Sequence, residues 1–168
     1  MSHSASYEQL GRFVVQFQHV EAALNCLLVL MTKADDEAVR IIINDLEYSK
    51  RVKTADVLFA WFVDVHRTTL SGEKAQFHQL MVELLRLGKR RNEMVHSGYS
   101  EWTDVTGSPG LMRMNSKLSG GAGKREESEE ELLPEAFAED LRKLDNVAGE
   151  LEAYRLKIIE ALCPDQTA

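Results

Sequence analysis

Apolar residues recur at alternating spacings of three and four along most of this chain, the period of helices with one covered face. The first stripe, from about Tyr7 to Lys33, runs through Leu10, Val14, Phe17, Leu24, Leu28 and Met31, with Glu21 in its middle. A short helix is predicted from Asp35 to about Leu46, with Asp35 or Asp36 as its N-cap. Ser49 is placed to cap a third helix reaching about Val65, packed through Val52, Ala55, Leu58, Phe59, Phe62 and Val65. Leu70-Ser71-Gly72 breaks the pattern. A fourth helix then runs from about Glu73 to Ser97, with Phe77, Leu80, Met81, Leu84, Leu87 and Val95 turned inward. Arg91 falls on that same stripe, and Asn92 and His96 form a four-residue pair on its flank. The last helix is predicted from about Pro134, well suited to a first turn, to Leu162. Its stripe is Phe137, Leu141, Leu144, Ala148, Leu151, Ile158 and Leu162.

The helical period stops at Gly98. Two short runs around a turn at Thr106-Gly-Ser-Pro-Gly110 read as a β-hairpin or an ordered loop. Ser119-Gly-Gly-Ala-Gly123 and the charged run after it read as flexible. The sum is an all-α fold in a single domain over residues 1–168. It is an antiparallel four- or five-helix bundle with a short β-hairpin or ordered loop before the last helix, the insertion covering about 98–133.

Composition narrows the partners. The formal net charge is −7 and the sequence pI about 5.3, which argues against broad electrostatic binding to DNA. The cations are uneven: Arg86, Lys89, Arg90 and Arg91 cluster, with Arg113, Lys117, Lys124 and Arg125 following, while acid fills Glu126 to Glu131. No uninterrupted apolar run reaches the roughly 18 residues of a membrane helix, and the first residues lack a secretion signal's basic start and apolar core. Cys26 and Cys163 form no C-x-x-C pair and read as reduced thiols. A cytoplasmic protein with no membrane partner is the expectation.

The candidate chemistry sits at the end of the fourth helix, in Lys89-Arg90-Arg91-Asn92-Glu93-Met94-Val95-His96. Arginine is a permanent cation with a planar donor fork suited to phosphate, and histidine exchanges a proton near neutral pH. Glu21 reads either as an acid reaching solvent at the edge of its stripe or as a part-buried acid needing a cation, for which Arg91 is the stripe-facing choice. Arg91 and His96 themselves admit two readings: a phosphodiester site, or a buried salt bridge beside a helix C-cap. Lys89, Arg90, Tyr99 and Trp102 are weaker candidates for substrate contact, the aromatics also being suited to covering the end of the bundle. Glu93 and His96 have the E-x-x-H spacing of di-iron bundles, but Gln16, Val63 and Ala75 stand at that spacing before His19, His66 and His78. No metal site and no cofactor are expected.

Arg91-Asn92-Glu93-Met94-Val95-His96 resembles the R-x(4–6)-H signature of the HEPN superfamily, in its common form with asparagine directly after the arginine. The resemblance implies a homodimer whose two motifs face each other in a composite site. It implies a metal-independent endoribonuclease, a toxin or defence effector paired with RNA and with an antitoxin or regulatory protein. His96 would handle the proton on the 2′-hydroxyl or the leaving oxygen, Arg91 would stabilise phosphate charge, Asn92 would orient one of these groups, and Glu21 would support Arg91. The alternative is a non-catalytic HEPN-like module that binds a nucleotide or a protein, or a purely structural bundle.

Overall fold

A computed structural model of the chain describes residues 3–66, 69–119 and 123–163. The α-helices are α1 (Ser4–Thr32), α2 (Asp36–Asn44), α3 (Tyr48–His66), α4 (Lys74–Val95) and α5 (Ala138–Leu162). Single 3₁₀ turns at Thr69–Glu73 and Pro134–Phe137 precede α4 and α5. Between α4 and α5 the chain forms β1 (Gly98–Thr103), β2 (Pro109–Ser119) and β3 (Lys124–Leu132), antiparallel in the order β1-β2-β3. By backbone contacts the chain divides into two compact units, Met1–Phe17 with Lys89–Lys143 and Gln18–Gly88 with Leu144–Ala168.

The expected all-α bundle with a short hairpin is therefore corrected: the fold is helices plus a substantial sheet, with strands of six, eleven and nine residues. The hairpin joining β1 and β2 matches its turn signal. Asp104 Oδ1 accepts from the backbone of Thr106 at 2.8 Å and of Ser108 at 2.7 Å, and Gly107 takes the positive φ of 86° that the turn requires. The charged run expected to be flexible is β3, paired residue by residue with β2 from Leu111↔Leu132 to Ser119↔Lys124. Residues 120–122 of the expected flexible glycine segment lie outside the described residues.

In the first unit, Phe13, Phe17, Met94, Leu111, Leu132, Phe137 and Leu141 are buried. Leu111 and Leu132 are paired across β2 and β3 and so share a face, as do Tyr99, Arg113 and Glu130 across all three strands. In the second unit the core is aromatic at its centre. The Phe59 and Phe77 rings stack at 4.0 Å, and Tyr154 meets both edge-on at 5.4 and 4.9 Å.

The helix stripes fall close to their predicted faces, with informative shifts. The buried face of α1 is Phe13, Phe17, Val20, Leu24, Leu27 and Met31, so Leu10 and Val14 sit on its flank, as does Glu21. In α4 the inward residue of the last turn is Met94, while Val95 is exposed. Asp35 caps α2 as expected, accepting from Ala38 N at 2.9 Å. Helix α1 is also long and apolar enough to cross a membrane, with a mean hydropathy of 1.5 over 18 residues. That differs from the expectation of no such segment, because Gln16, Gln18, His19 and Glu21 interrupt the apolar run while the residues around them keep the average at 1.5.

One glycine is fixed by close approach. A Cβ on Gly88 would lie 2.5 Å from Cε1 and 2.7 Å from Cδ1 of Tyr48. That ring is held in turn by its hydroxyl, which donates to the Leu84 carbonyl at 3.1 Å. Gly88→Ala gains about 1 kcal/mol of helix propensity, but overpacking a well-filled site costs about 1–3 kcal/mol. Because a rigid ring yields less than a flexible chain, we expect a net loss of stability, read as a lower urea midpoint. Gly88→Ala combined with Tyr48→Ala is expected to show the helix gain instead.

Candidate functional site

The last turn of α4 is held by the sheet that follows it. Four orphan carbonyls end any helix, and here side chains from β1, β2 and the intervening turn satisfy two of them. Ser97 Oγ and Arg113 Nη1 both donate to the Glu93 carbonyl, and Tyr99 Oη donates to the Met94 carbonyl at 2.6 Å. Arg113 also reaches Ser97 Oγ at 3.1 Å. The guanidinium that complements the helix dipole at this end is thus Arg113, 6 % exposed, and not His96. Burial pushes the Tyr99 hydroxyl up, against the opposing pull of Arg113 and Arg90. Tyr99 is accordingly a structural residue of this helix end.

Arg90 is also used structurally. Its Nε donates to Asp140 Oδ2 at 2.8 Å, and its two terminal nitrogens donate to both oxygens of Glu130 at 2.8 and 2.7 Å. Glu130 takes a further bond from Arg113 Nε at 2.7 Å. Burial pulls the Arg90 guanidinium down, but its bonds to the two carboxylates outweigh that and raise it. The Arg90 fork holds the Glu130 carboxyl below its usual range, against the upward push of burial. Each of the three nitrogens of Arg90 is thus turned to a carboxylate of the protein itself.

Arg91, Asn92 and His96 are placed differently. Arg91 is half-buried with its guanidinium over the Phe17 ring, 5.9 Å from the centroid, and Nη1 donates to Asn92 Oδ1 at 3.2 Å. Among the described residues five arginines are buried or half-buried: Arg51, Arg90, Arg91, Arg113 and Arg155. The other four each hold a carboxylate, whereas Arg91 has none among the described residues. Asn92 and His96 are exposed, and the His96 ring has no hydrogen bond or ion pair among the described residues. Arg91 and His96 are five positions apart, about 140° around the helix, while Asn92 and His96 lie within about 40° of each other. The bond to Asn92 draws the Arg91 guanidinium toward the face that carries His96.

His96 borders a groove of about 330 Å³ on the outer face of the sheet, with Met114, Asn115, Arg125, Glu127 and Glu129 among its walls. The remaining candidates fall elsewhere. Glu21 Oε1 accepts from Arg51 Nη2 at 2.9 Å, and Arg51 also donates to Asn25. This part-buried acid does have a cationic partner, supplied by α3. Trp102 is half-buried against Gly110, where a Cβ would come within 3.3 Å of its ring. Lys89 is exposed, Arg86 pairs with Glu83, and the side chains of Lys117 and Lys124 lie outside the described residues. Among the described residues no cluster of histidine, cysteine and carboxylate is suited to a metal. The residues that sequence reasoning missed are Arg113 and Glu130. Their signal was weak, because an arginine in a short apolar run and a glutamate in an acidic run have no period to single them out.

The clasp gives a pH dependence with a definite sign. Because the folded Glu130 carboxyl lies below its unfolded value, its stabilisation is present above the usual carboxylate range, about 4.3. It is lost as pH falls through the lowered folded value. Glu130→Gln is expected to lower the urea midpoint at neutral pH and to flatten its decline in acid. An unchanged acid decline in the variant would show that other carboxylates set it.

No family model matches this chain, and neither a curated protein nor a solved structure matches it.

Proposed function

We propose that the chain is a metal-independent endoribonuclease whose reacting groups are Arg91, Asn92 and His96, completed by a second copy. The observation that carries this reading is that, among the described residues, Arg91 alone of the buried and half-buried arginines lacks a carboxylate. It is held instead by an aromatic face and by the asparagine that shares a helix face with His96. An arginine kept part-buried without a counter-ion is poised for an external anion, since a desolvated cation gains most from a partner. The reading of His96 as a helix cap loses its support, because Arg113, Ser97 and Tyr99 perform that task. The motif's likeness to the HEPN signature gives the anion its identity, a phosphodiester of RNA.

In this reading the 2′-oxygen attacks the adjacent phosphorus as one imidazole takes its proton. The bond from phosphorus to the 5′-oxygen breaks, and that oxygen receives a proton from the imidazolium of the second copy. The products are a 2′,3′-cyclic phosphate and a 5′-hydroxyl. Arg91 offsets the charge that builds on the non-bridging oxygens. Two copies supply both an acid and a base, which one exposed His96 does not.

A carboxylate favours a second reading. Glu127 in the wall beside His96 is paired with Arg125 at 3.0 Å, but Glu129 in the same wall suits a cationic protein partner better than a polyanion, as in a non-catalytic binding module.

One assay separates the two. End-labelled RNA is incubated in EDTA with the native protein, His96→Ala and Arg91→Ala. The expected loss is about 10²–10⁴-fold for His96→Ala and about 10²–10³-fold for Arg91→Ala, with cyclic phosphate ends from the native protein and no cutting at 2′-deoxy positions. A native protein inert over varied RNAs, or cleavage equally fast in the variants, rejects the nuclease.

A further inference from the structure

Helix α3 turns an apolar ridge to solvent. Val57, Trp61 and Val65, spaced by four, are 72 %, 50 % and 53 % exposed, although α3 already buries Val52, Ala55, Phe59, Phe62 and Val63 on its other side. Beside the ridge lies a groove of about 540 Å³ walled by Lys53, Thr54, Val57, Leu58 and Trp61. Scattered single apolar residues on a surface are ordinary, but a contiguous strip with its own groove marks a surface that another one covers.

We propose that a second copy of this chain covers it, with α3 packing antiparallel on α3 about a two-fold axis. The ridge and the groove are on the same strip, the self-complementarity that an isologous pair requires. The register is set by the largest side chain. Placing Trp61 of one copy over the middle of the groove between Thr54 and Leu58 of the other also brings Lys53 opposite Asp64. Both are exposed, and eleven residues apart they lie within about 20° of each other around the helix. In an antiparallel pair each flank of a helix meets the same flank of its copy, so this one register both fills the groove and joins opposite charges at each end. Asp64 also holds Lys74, and a carboxylate has room for two cations. Three turns of helix cover less than the about 800 Å² per partner of a standard interface, so the pairing is expected in the micromolar range.

The inference uses side chains of α3 alone and does not rest on the nuclease reading. It is tested by sedimentation equilibrium on the full chain through the micromolar range, with circular dichroism to verify folding. The native protein is expected to approach twice its 19.0 kDa mass. Trp61→Glu is expected to weaken association by about tenfold or more. Lys53→Glu is expected to weaken it less, and Lys53→Glu with Asp64→Lys to restore it. A native protein that stays monomeric at the highest concentration, or a folded Trp61→Glu that still dimerises like the native chain, overturns the proposal. RNA cleavage by the same variants is a separate readout. A monomeric Trp61→Glu that still cuts RNA would sink the composite site while leaving this interface standing.

Discussion

The position of the candidate site depends on one arginine that takes no part in it. Arg90 donates from all three of its nitrogens, to Asp140 at the start of α5 and to both oxygens of Glu130 in β3, and Glu130 then accepts from Arg113 in β2. Five of the nine residues of β3 are glutamates, a composition with poor strand propensity and like charges in a row. Glu126 faces Lys117 and Glu130 faces Arg113 in the register, and Leu132 is buried opposite Leu111. The strand therefore forms where Arg90, Arg113 and one apolar anchor await it. A buried ion pair is weak evidence for net stability, since desolvation offsets much of the attraction. Its clearer effect is geometric: one guanidinium and one carboxylate tie the end of α4 to β2, β3 and the start of α5.

The same clasp decides what is left free. With Arg113 held at the end of α4, the carbonyls of Glu93 and Met94 find donors within the sheet. His96 gives this helix end its backbone N–H, which donates to the Asn92 carbonyl at 3.0 Å, while its ring stands exposed one residue beyond the helix. Arg91, next to Arg90 in sequence, points about 100° away around the axis and reaches neither Glu130 nor Asp140. Adjacent arginines thus have opposite fates. One is neutralised twice over, and the other rests on the Phe17 ring with an asparagine as its hydrogen-bond partner.

Much of the helical part was legible in the sequence, because burial on one side of a helix repeats with a fixed period. That period placed α2 with its Asp35 cap and the inward residues of α4 from Phe77 to Leu87. It was less reliable where one polar residue sat in a stripe. Counting Glu21 as inward tilted the reading of α1 toward Leu10 and Val14, whereas Phe13 and Val20 carry the packing. The sheet was hidden for a different reason. A strand whose stabilisation comes from two arginines distant in the chain leaves no alternation of apolar and polar residues to read. The partner of Glu21 was hidden likewise, since Arg51 lies on α3 and no spacing links the two.

What the structure adds to the motif is an account of charge. Acids outnumber basic residues 27 to 20, so a cation in this chain meets a carboxylate by default. Where the chain does bury part of an arginine, it supplies that carboxylate for Arg51, Arg90, Arg113 and Arg155. The same acidity sharpens the question of what reaches Arg91. Glutamates of the outer sheet face stand beside His96 and oppose the long-range approach of a polyanion. In the proposed reading, a phosphate arriving against that field would be held by short-range contacts, in which a desolvated guanidinium is strong and a distant carboxylate is screened within about 10 Å at 0.1 M salt. Under the proposed nuclease reading, selection at such a site therefore rests on fit and not on attraction, favouring a single, well-placed phosphodiester over the general coating of nucleic acid.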